Sequence, residues 1–392
     1  MKAIILASLF VLSVACGQVP GRPTAAVASP SPSSVATPAS SSSALLFAVL
    51  EAKGTANTWT YNTVAIAGLD GNARAKTTFT PMLVPTIGCM GAVIPQAAHV
   101  ANGKVFFADE KGVVRSLAIN GTVAIAATFP LNSAHQMLSF AVSPDGTIVL
   151  GTIYTLPSGI SYCNGAPSGT FNFDAYRATA GGAVQLVYHD SWSTSHNVLA
   201  LTGWDSVGPI GTYPTIWASQ GGGPASTLGV KVRVDPATIM PGTALSDPTK
   251  CQVWDSITSG AFVCMGDAVM TGGGTADQRV NQPVSVRNAD GIEAWRFTAT
   301  GQNAPFGPLL SPDGTQVMVC CNDLNLSDSH ELLIRRDKSQ VNLAAGFGAS
   351  GWLDQTTMVG WVNSNMAYVA ANAPGVAVSM GFAGLFVGTV RA

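Results

Sequence analysis

The sequence predicts an all-β protein that folds as a single β-propeller, with seven blades of four antiparallel strands. Three observations predict it. The chain of 392 residues contains 42 Gly and 23 Pro, and its acidic residues are mostly Asp, which suits tight turns better than helices. The pentapeptide Ser-Pro-Asp-Gly-Thr occurs twice, at 143–147 and 311–315, between short apolar runs. No apolar pattern of helical period and helix length interrupts the series of hairpin-like segments.

The pentapeptide has the residues of a strand-linking turn. Pro fixes φ at the start of the turn, the Asp side chain can accept a bond from a nearby backbone N–H, and Gly supplies a positive φ. Looser relatives of this turn occur at 69–72, 119–122, 180–182 and 289–291. Hairpins in series predict a propeller, and residues 44–392 allow about 50 residues for each of seven blades. Six or eight blades, or a large sandwich or barrel, are the alternatives.

The blades are expected to follow one another along the chain. They are predicted at 44–80, 97–130, 137–189, 197–245, 257–300, 305–347 and 348–392. The third and sixth are the clearest, because each contains the pentapeptide between its first and second strands. The first lacks an inner strand, and the C-terminal run GLFVGTV at 384–390 could supply that strand and close the ring.

The chain before residue 44 predicts export. Residues 1–15 contain one Lys, an apolar run and small residues, as a secretory signal peptide does. Residues 13–16, Ser-Val-Ala-Cys, resemble a bacterial lipobox, which implies lipidation of Cys16, although Ser stands where Leu is usual. Residues 16–43 are rich in Ser, Pro and Ala and predict a disordered tether. We expect an extracytoplasmic, membrane-anchored lipoprotein, with plain secretion as the alternative.

Two stretches resemble a known family of repeats. AVSPDGTIVLGT and LLSPDGTQVMV resemble the repeats of WD40-like bacterial propellers such as the C-terminal domain of TolB. Stretches in predicted blades two and five resemble quinoprotein-type repeats more weakly, and the tryptophans of those repeats are absent from most blades. The resemblance implies a TolB-like propeller fold and leaves the function open.

Strand order divides the connections between two faces of the propeller. Turns between strands one and two, and between strands three and four, lie on one face and are short. Long insertions fall between strands two and three or between blades, on the opposite face, at 80–97, 155–171, 189–197, 218–228, 245–257, 271–283 and 322–330. Because long loops on a rigid scaffold often bind ligands, we expect a polar, uncharged recognition surface there. Insertions tolerated without a function are the alternative.

The segment YHDSWSTSHN at 188–197, which we expect to be an inter-blade loop, contains most of the candidate binding residues. The candidates are His189, Asp190, Trp192 and His196, together with Tyr162 from another insertion. Two His and an Asp could hold a metal ion, and Ser beside His could suggest acyl transfer, but neither has a diagnostic spacing. We therefore predict no catalytic residue, no metal site and no cofactor.

Six cysteines follow Cys16, an even number that suggests disulfides in an exported protein. Cys251 and Cys264 are the expected local pair. Cys320 and Cys321 are adjacent, so they should point to opposite faces of a sheet and have different partners, with a vicinal disulfide as the alternative.

Charge narrows the expected partners. The net charge is −2 and only 10% of residues are charged, so we expect no nucleic acid and no membrane contact beyond the lipid anchor. We expect a monomeric binding or scaffold module that presents its long-loop face to an envelope protein or a surface glycan. The alternative is a secreted propeller hydrolase or lyase acting on carbohydrate or a lactone, which would need carboxylates, or His with Asp, at the mouth of the central channel.

Overall fold

The structure is a computed structural model of the chain. It describes residues 45–54, 60–81, 98–132, 136–157, 168–194, 198–215, 230–247, 250–271, 279–301, 306–322 and 330–391. These residues lie in one compact unit, Ala44–Ala392. The signal peptide expected at 1–15, Cys16 and the tether that follows it lie outside the described residues. Within the described ranges, no helix has the length and apolar character needed to cross a bilayer.

The described strands form seven antiparallel sheets, which are the blades. Blade one contains β29 (Gly384–Val390), β1 (Leu46–Lys53), β2 (Thr60–Gly68) and β3 (Ala73–Thr78). Blade two contains β4 (Ala98–Ala101), β5 (Lys104–Ala108), β6 (Val113–Ala118) and β7 (Val123–Thr128). Blade three contains β8 (Gln136–Val142), β9 (Ile148–Thr155), β10 (Ser168–Thr179) and β11 (Gln185–Thr194).

The remaining blades follow in chain order. Blade four contains β12 (Val198–Trp204), β13 (Pro209–Thr215), β14 (Val230–Val234) and β15 (Pro241–Ala244). Blade five contains β16 (Gln252–Ser256), β17 (Phe262–Met265), β18 (Val269–Thr271), β19 (Arg279–Arg287) and β20 (Glu293–Gly301). Blade six contains β21 (Phe306–Leu310), β22 (Gln316–Asn322), β23 (His330–Arg335) and β24 (Gln340–Asn342). Blade seven contains β25 (Gly348–Trp352), β26 (Thr357–Val362), β27 (Asn365–Ala370) and β28 (Ala377–Ser379).

The blades are arranged in a closed ring. Contacts between neighbouring blades run from β29 to β4, β8 and β12, through β14 to β16, and on to β21, β25 and back to β29. β29 pairs antiparallel with β1, so the C-terminal strand supplies the inner strand of blade one, as the sequence predicts. The chain is a seven-bladed β-propeller. Blade five begins at Gln252, which corrects the predicted start at 257, because the short strand β16 precedes the first turn signal of that blade.

Both copies of the pentapeptide form the same turn between strands one and two. The Ile148 N–H donates to Ser143 Oγ at 2.9 Å, Ser143 Oγ donates to Asp145, and the Thr147 N–H donates to Asp145 Oδ1 at 3.1 Å. Gly146 has a φ of 73°, which favours glycine. The same bonds recur at 311–316. The repeat is therefore a structural element.

The strand order defines two faces, which we name by their connections. The turn face carries the connections between strands one and two and between strands three and four, such as 143–147, 205–208 and 235–240. The loop face carries the connections between strands two and three and between blades. The strands that flank the long insertions named above have their facing ends at the loop face, and described parts of those insertions are strand, including the start of β10 and the end of β11.

Apolar clusters fill six of the seven seams between neighbouring blades. The seam between blades four and five differs. Its apolar cluster has four buried residues, all from the start of blade five, with Leu245 packed against them. On β14, Val230, Val232 and Val234 pack towards blade three, so the alternate residues Lys231 and Arg233 face the opposite way, towards blade five. Among the described residues, this seam therefore combines the smallest apolar cluster with two cationic side chains of blade four.

Candidate functional site

Blade three extends beyond its neighbours on the loop face. The pairing of β9 with β10 ends at Thr155 and Asn172, whereas β10 continues to pair with β11 as far as Ser168 and Thr194. Trp192 lies on this two-stranded extension, where it is partly buried against the apolar cluster shared with blade four. The extension therefore presents backbone and one aromatic residue at the loop face.

The structure corrects the expected loop around 188–194. These residues belong to β11, the outermost strand of blade three, because the antiparallel pairing with β10 satisfies their backbone. Neighbouring residues on a strand point to opposite faces of the sheet, so His189 and Trp192 do not form one cluster. His189 Nδ1 lies 2.6 Å from Asp174 Oδ1 on β10, and the His189 side chain is 53% exposed.

The Asp190 side chain forms hydrogen bonds within its own strand. It accepts hydrogen bonds from the Tyr188 hydroxyl at 2.9 Å and from the Ser191 N–H at 2.7 Å. The hydrogen bond to Asp190, followed by burial, raises the pKa of Tyr188. Tyr162 and His196, the other two candidate binding residues, lie outside the described residues, so the five are not brought together by the described part of the chain.

Blade five forms a second extension on the loop face. β17 stops pairing with β19 at Met265 and Val284, and β18 then takes its place beside residues 279–281 of β19. β20 follows β19 to its end. Val269 and Met270 on β18 are 57% and 62% exposed. Two extensions, from blades three and five, therefore flank blade four on the loop face.

The inner strands of the ring contain few ionisable groups. Among their residues only His99 on β4 and Asp255 on β16 can ionise, and each contacts the next blade. His99 packs edge-on to Phe140 with ring centroids 4.7 Å apart, and burial lowers the pKa of His99 to about 4. Asp255 Oδ2 accepts a hydrogen bond from the Leu310 N–H at 2.9 Å, and burial raises the pKa of Asp255.

Hydroxyl groups also link neighbouring inner strands. Ser139 Oγ accepts a hydrogen bond from the Leu201 N–H at 2.8 Å, between blades three and four. Thr389 Oγ1 donates to the Leu353 carbonyl at 2.9 Å, between blades one and seven. These polar side chains satisfy backbone groups around the ring, which makes their role in the described part of the chain structural.

Glu331 is a partly buried carboxyl group near the loop face that the sequence did not single out. It lies at the start of β23, and its Oε2 accepts a hydrogen bond from the Ala349 N–H of blade seven at 2.8 Å. Burial raises the pKa of Glu331 to about 7, against the opposing effect of that hydrogen bond. Its one sequence signal is that Glu is rare in this chain. Among the described residues, no group of three or more His, Cys, Asp or Glu could hold a metal ion.

The expected disulfide between Cys251 and Cys264 is present. The two Cα atoms are 5.2 Å apart, and both residues are buried at the seam between blades four and five. Cys320 is disulfide-bonded as well. The side chains of Cys89, Cys163 and Cys321 lie outside the described residues.

Comparison with known proteins gives matches among solved structures only. No protein-family model and no curated protein matches the chain. Among solved structures, an oligogalacturonate lyase in complex with manganese is 8% identical, with 78% of this chain and 79% of that chain covered and a TM-score of 0.46. The Dos1 propeller is 10% identical, with 86% and 81% covered and a TM-score of 0.44. A TolB protein from Agrobacterium tumefaciens is 12% identical, with 87% and 91% covered and a TM-score of 0.32. The similarity to all three is at low sequence identity.

Proposed function

We propose that the protein is an envelope-anchored binding or scaffold module that recognises a protein or a glycan through its loop face. The observation that carries the proposal is the difference between the two faces. Tight, internally bonded turns such as 143–147 and 311–315 close the turn face. On the loop face, the strands of blades three and five extend beyond the strands beside them. Such extensions provide a rigid support for the long connections around them.

The exposed residues of the extensions support binding. Met270 and Val269 offer apolar surface, Trp192 lies on the other extension, and His189 lies on β11 within the full blade beside it. Aromatic residues and Met are enriched at protein interfaces, and charged residues are depleted at interface cores. The inner strands contain two ionisable side chains, His99 and Asp255, and each contacts the neighbouring blade. These strands therefore provide few groups for catalysis.

The anchor and the remaining candidates belong to the same proposal. Lipidation at Cys16 would attach the protein to a membrane, and the tether at 16–43 would hold the propeller roughly 30 Å away as a random coil. We propose His189, Asp190, Trp192, Tyr162 and His196 as contributors to recognition from the outer part of blade three. The partner would be an envelope protein or a surface glycan, bound by a monomer.

A hydrolase or lyase activity is the second candidate function, and the raised pKa of Glu331 is the observation that favours it. A carboxyl group with a pKa near 7 can serve as a general acid or base at neutral pH. Its position at the start of β23 puts it close to the loop-face connections.

Site-specific photo-crosslinking tests the binding proposal. A photoreactive residue replaces Met270 on the loop face or, as the matched control, Ile292 on the turn face of the same blade; the two side chains are 62% and 64% exposed. Cross-linking of the full chain in cells should give a discrete adduct from position 270 only. If the partner is a glycan, the wild type should bind to an array of envelope glycans. Met270→Asp should lose this binding, and Ile292→Asp should keep it. Equal results at both positions would contradict the proposal.

A further inference from the structure

Trp361 presents a flat aromatic surface on the loop face of blade seven. It is the last residue but one of β26, and it is 46% exposed. A Cβ atom at Gly348, its partner on β25, would lie 2.6 Å from Trp361 Cε2, 2.7 Å from Nε1 and 2.9 Å from Cζ2. Cε2 is bonded to both other atoms and is the nearest of the three, so Gly348 lies against the face of the indole rather than its edge. The opposite face is therefore the one that remains for a ligand.

The connection that follows Trp361 is too short to cover it. Val362 pairs with Asn365, so the connection between β26 and β27 consists of Asn363 and Ser364 alone. Both have a positive φ, 49° and 68°, as the central residues of a type I′ hairpin do. Because the backbone on both sides of this turn is paired, little of the chain has to be ordered when a ligand binds.

Blade seven has no charged side chain at its loop-face end. Between Lys338 and Arg391, Asp354 is the one charged residue. It lies in the turn between β25 and β26, which belongs to the turn face, and it accepts a hydrogen bond from the Thr356 N–H at 2.7 Å. The connection to blade one on the loop face, residues 380–383, reads Met-Gly-Phe-Ala. Charge interactions with blade seven therefore give no advantage to an acidic or a basic ligand.

The exposed indole face fits a sugar ring. The π face of an indole carries partial negative charge, which attracts the C–H groups on one side of a pyranose ring. The hydroxyl groups at the rim of such a ring can bond to amide and hydroxyl side chains, and residues 363–365, Asn-Ser-Asn, are exposed. These polar residues also interrupt any apolar surface along the chain, whereas the core of a protein interface is apolar. We propose that Trp361 is the stacking platform for one neutral sugar unit of a glycan, an inference that rests on the proposed recognition by the loop face and names its ligand class.

The NMR signals of the indole N–H groups test the proposal on the full chain. The eight Trp residues are isotope-labelled at the indole nitrogen, and the signal that Trp361→Phe removes is assigned to Trp361. The probes are cellotetraose, maltotetraose, mannotetraose and tetra-N-acetylchitotetraose, which are neutral, with tetragalacturonate as the charged comparison. At least one neutral probe should shift the Trp361 signal with a dissociation constant in the millimolar range or below, and should bind more tightly than tetragalacturonate does.

Two variants and a control separate stacking from stability. Trp361→Ala removes the platform and should weaken binding at least ~10-fold. Gly348→Ala keeps the indole but places a methyl group against the face on which the ring rests, so the ring must shift and binding should weaken as well. Val378→Ala, on the outer strand of the same blade at a residue of similar exposure, should bind as the wild type does. Thermal unfolding of each variant is recorded in parallel, and the wild-type titration decides the question where a variant does not fold.

The inference fails if no neutral probe shifts the Trp361 signal, if Trp361→Ala folds and binds as tightly as the wild type, or if tetragalacturonate binds more tightly than every neutral probe. It also fails if a photoreactive residue in place of Trp361 cross-links to a protein while no sugar binds. None of these results removes the discrete adduct expected from a photoreactive residue in place of Met270. Failure of this inference and failure of the loop-face proposal are therefore distinguishable.

Discussion

Val390, at the end of the C-terminal strand, pairs with Leu46, at the start of the first strand, and both side chains are buried. This pairing joins the two ends of the propeller in blade one. The inner strand of that blade, β29, also contacts blades two and seven, so it stabilises both neighbouring seams.

Removing residues 384–392 should abolish cooperative folding. The deletion takes away the inner strand of blade one and leaves the edge of β1 and the apolar residues beneath it exposed. Removing residues 391–392 alone spares β29 and serves as the control. Thermal unfolding followed by circular dichroism checks the prediction, and a long truncation with the melting temperature of the control would contradict it.

The turn-face aspartates should make the protein sensitive to acid. Hydrogen bonds from Ser143 and Thr147 lower the pKa of Asp145, and hydrogen bonds from Asn72 and Arg74 lower that of Asp70 to about 2. A carboxyl group with a lowered pKa stabilises the folded state above its unfolded pKa, and this stability is lost as the pH falls through the folded value. The free energy of unfolding should therefore fall between about pH 4 and pH 2.

Asn substitutions provide the control for that pH dependence. Asp145→Asn removes a titrating group and keeps one acceptor for the turn, so the variant should lose less stability than the wild type over the same pH range. Urea titrations at several pH values measure the difference. Parallel curves for the two proteins would rule out a contribution from the turn.

Glu331 should give a pH dependence of the opposite sign. Its folded pKa of about 7 lies above the ordinary value of 4.5, so its contribution is complete below the unfolded pKa and is lost as the pH rises towards 7. The loss is at most about 3 kcal/mol. Glu331→Gln keeps an acceptor for the Ala349 N–H and should have a flatter stability curve between about pH 5 and 8. If the protein is a hydrolase or lyase using this group, the same variant should also lose its activity.

The disulfide at the seam of blades four and five should contribute measurable stability. In the chain-entropy model, a loop of this length gives roughly 3 kcal/mol. Cys251→Ser with Cys264→Ser should therefore lower the midpoint of urea unfolding, and the slope should stay the same or rise because the unbridged unfolded chain is less compact. An unchanged midpoint would contradict a stabilising effect of the bond on the unfolded chain.

Local turn chemistry made much of the fold predictable. The two pentapeptides gave the strand order of blades three and six, and the apolar run at 384–390 gave the closing strand. The expected loop at 188–194 was wrong, because its polar residues alternate on an edge strand whose partner, β10, comes from an earlier part of the chain. Polar composition alone does not distinguish such an edge strand from a loop.

The buried charges were not predictable in the same way. Glu331 and Asp205 are ordinary acidic residues in the sequence, and only the fold reveals that Glu331 bonds to blade seven and that Asp205 is 3% exposed. The sequence does contain a signal for Arg233. The third strand of each of blades three to six has an Arg within its last three residues, at 177, 233, 287 and 335. That recurrence indicates a repeated position, but not that a buried nitrogen of Arg233 and one of Arg287 lack a hydrogen-bond partner.

The polar seam between blades four and five gives the ring a defined point of failure. Six seams are filled by larger apolar clusters drawn from both blades, whereas at this one the cluster is small, the Cys251–Cys264 disulfide lies at the start of blade five and the Asp205–Arg233 ion pair lies within blade four. A closed ring under thermal or chemical stress opens at its weakest joint. Unfolding of this propeller should therefore begin with the separation of blades four and five, while the other six seams are still packed.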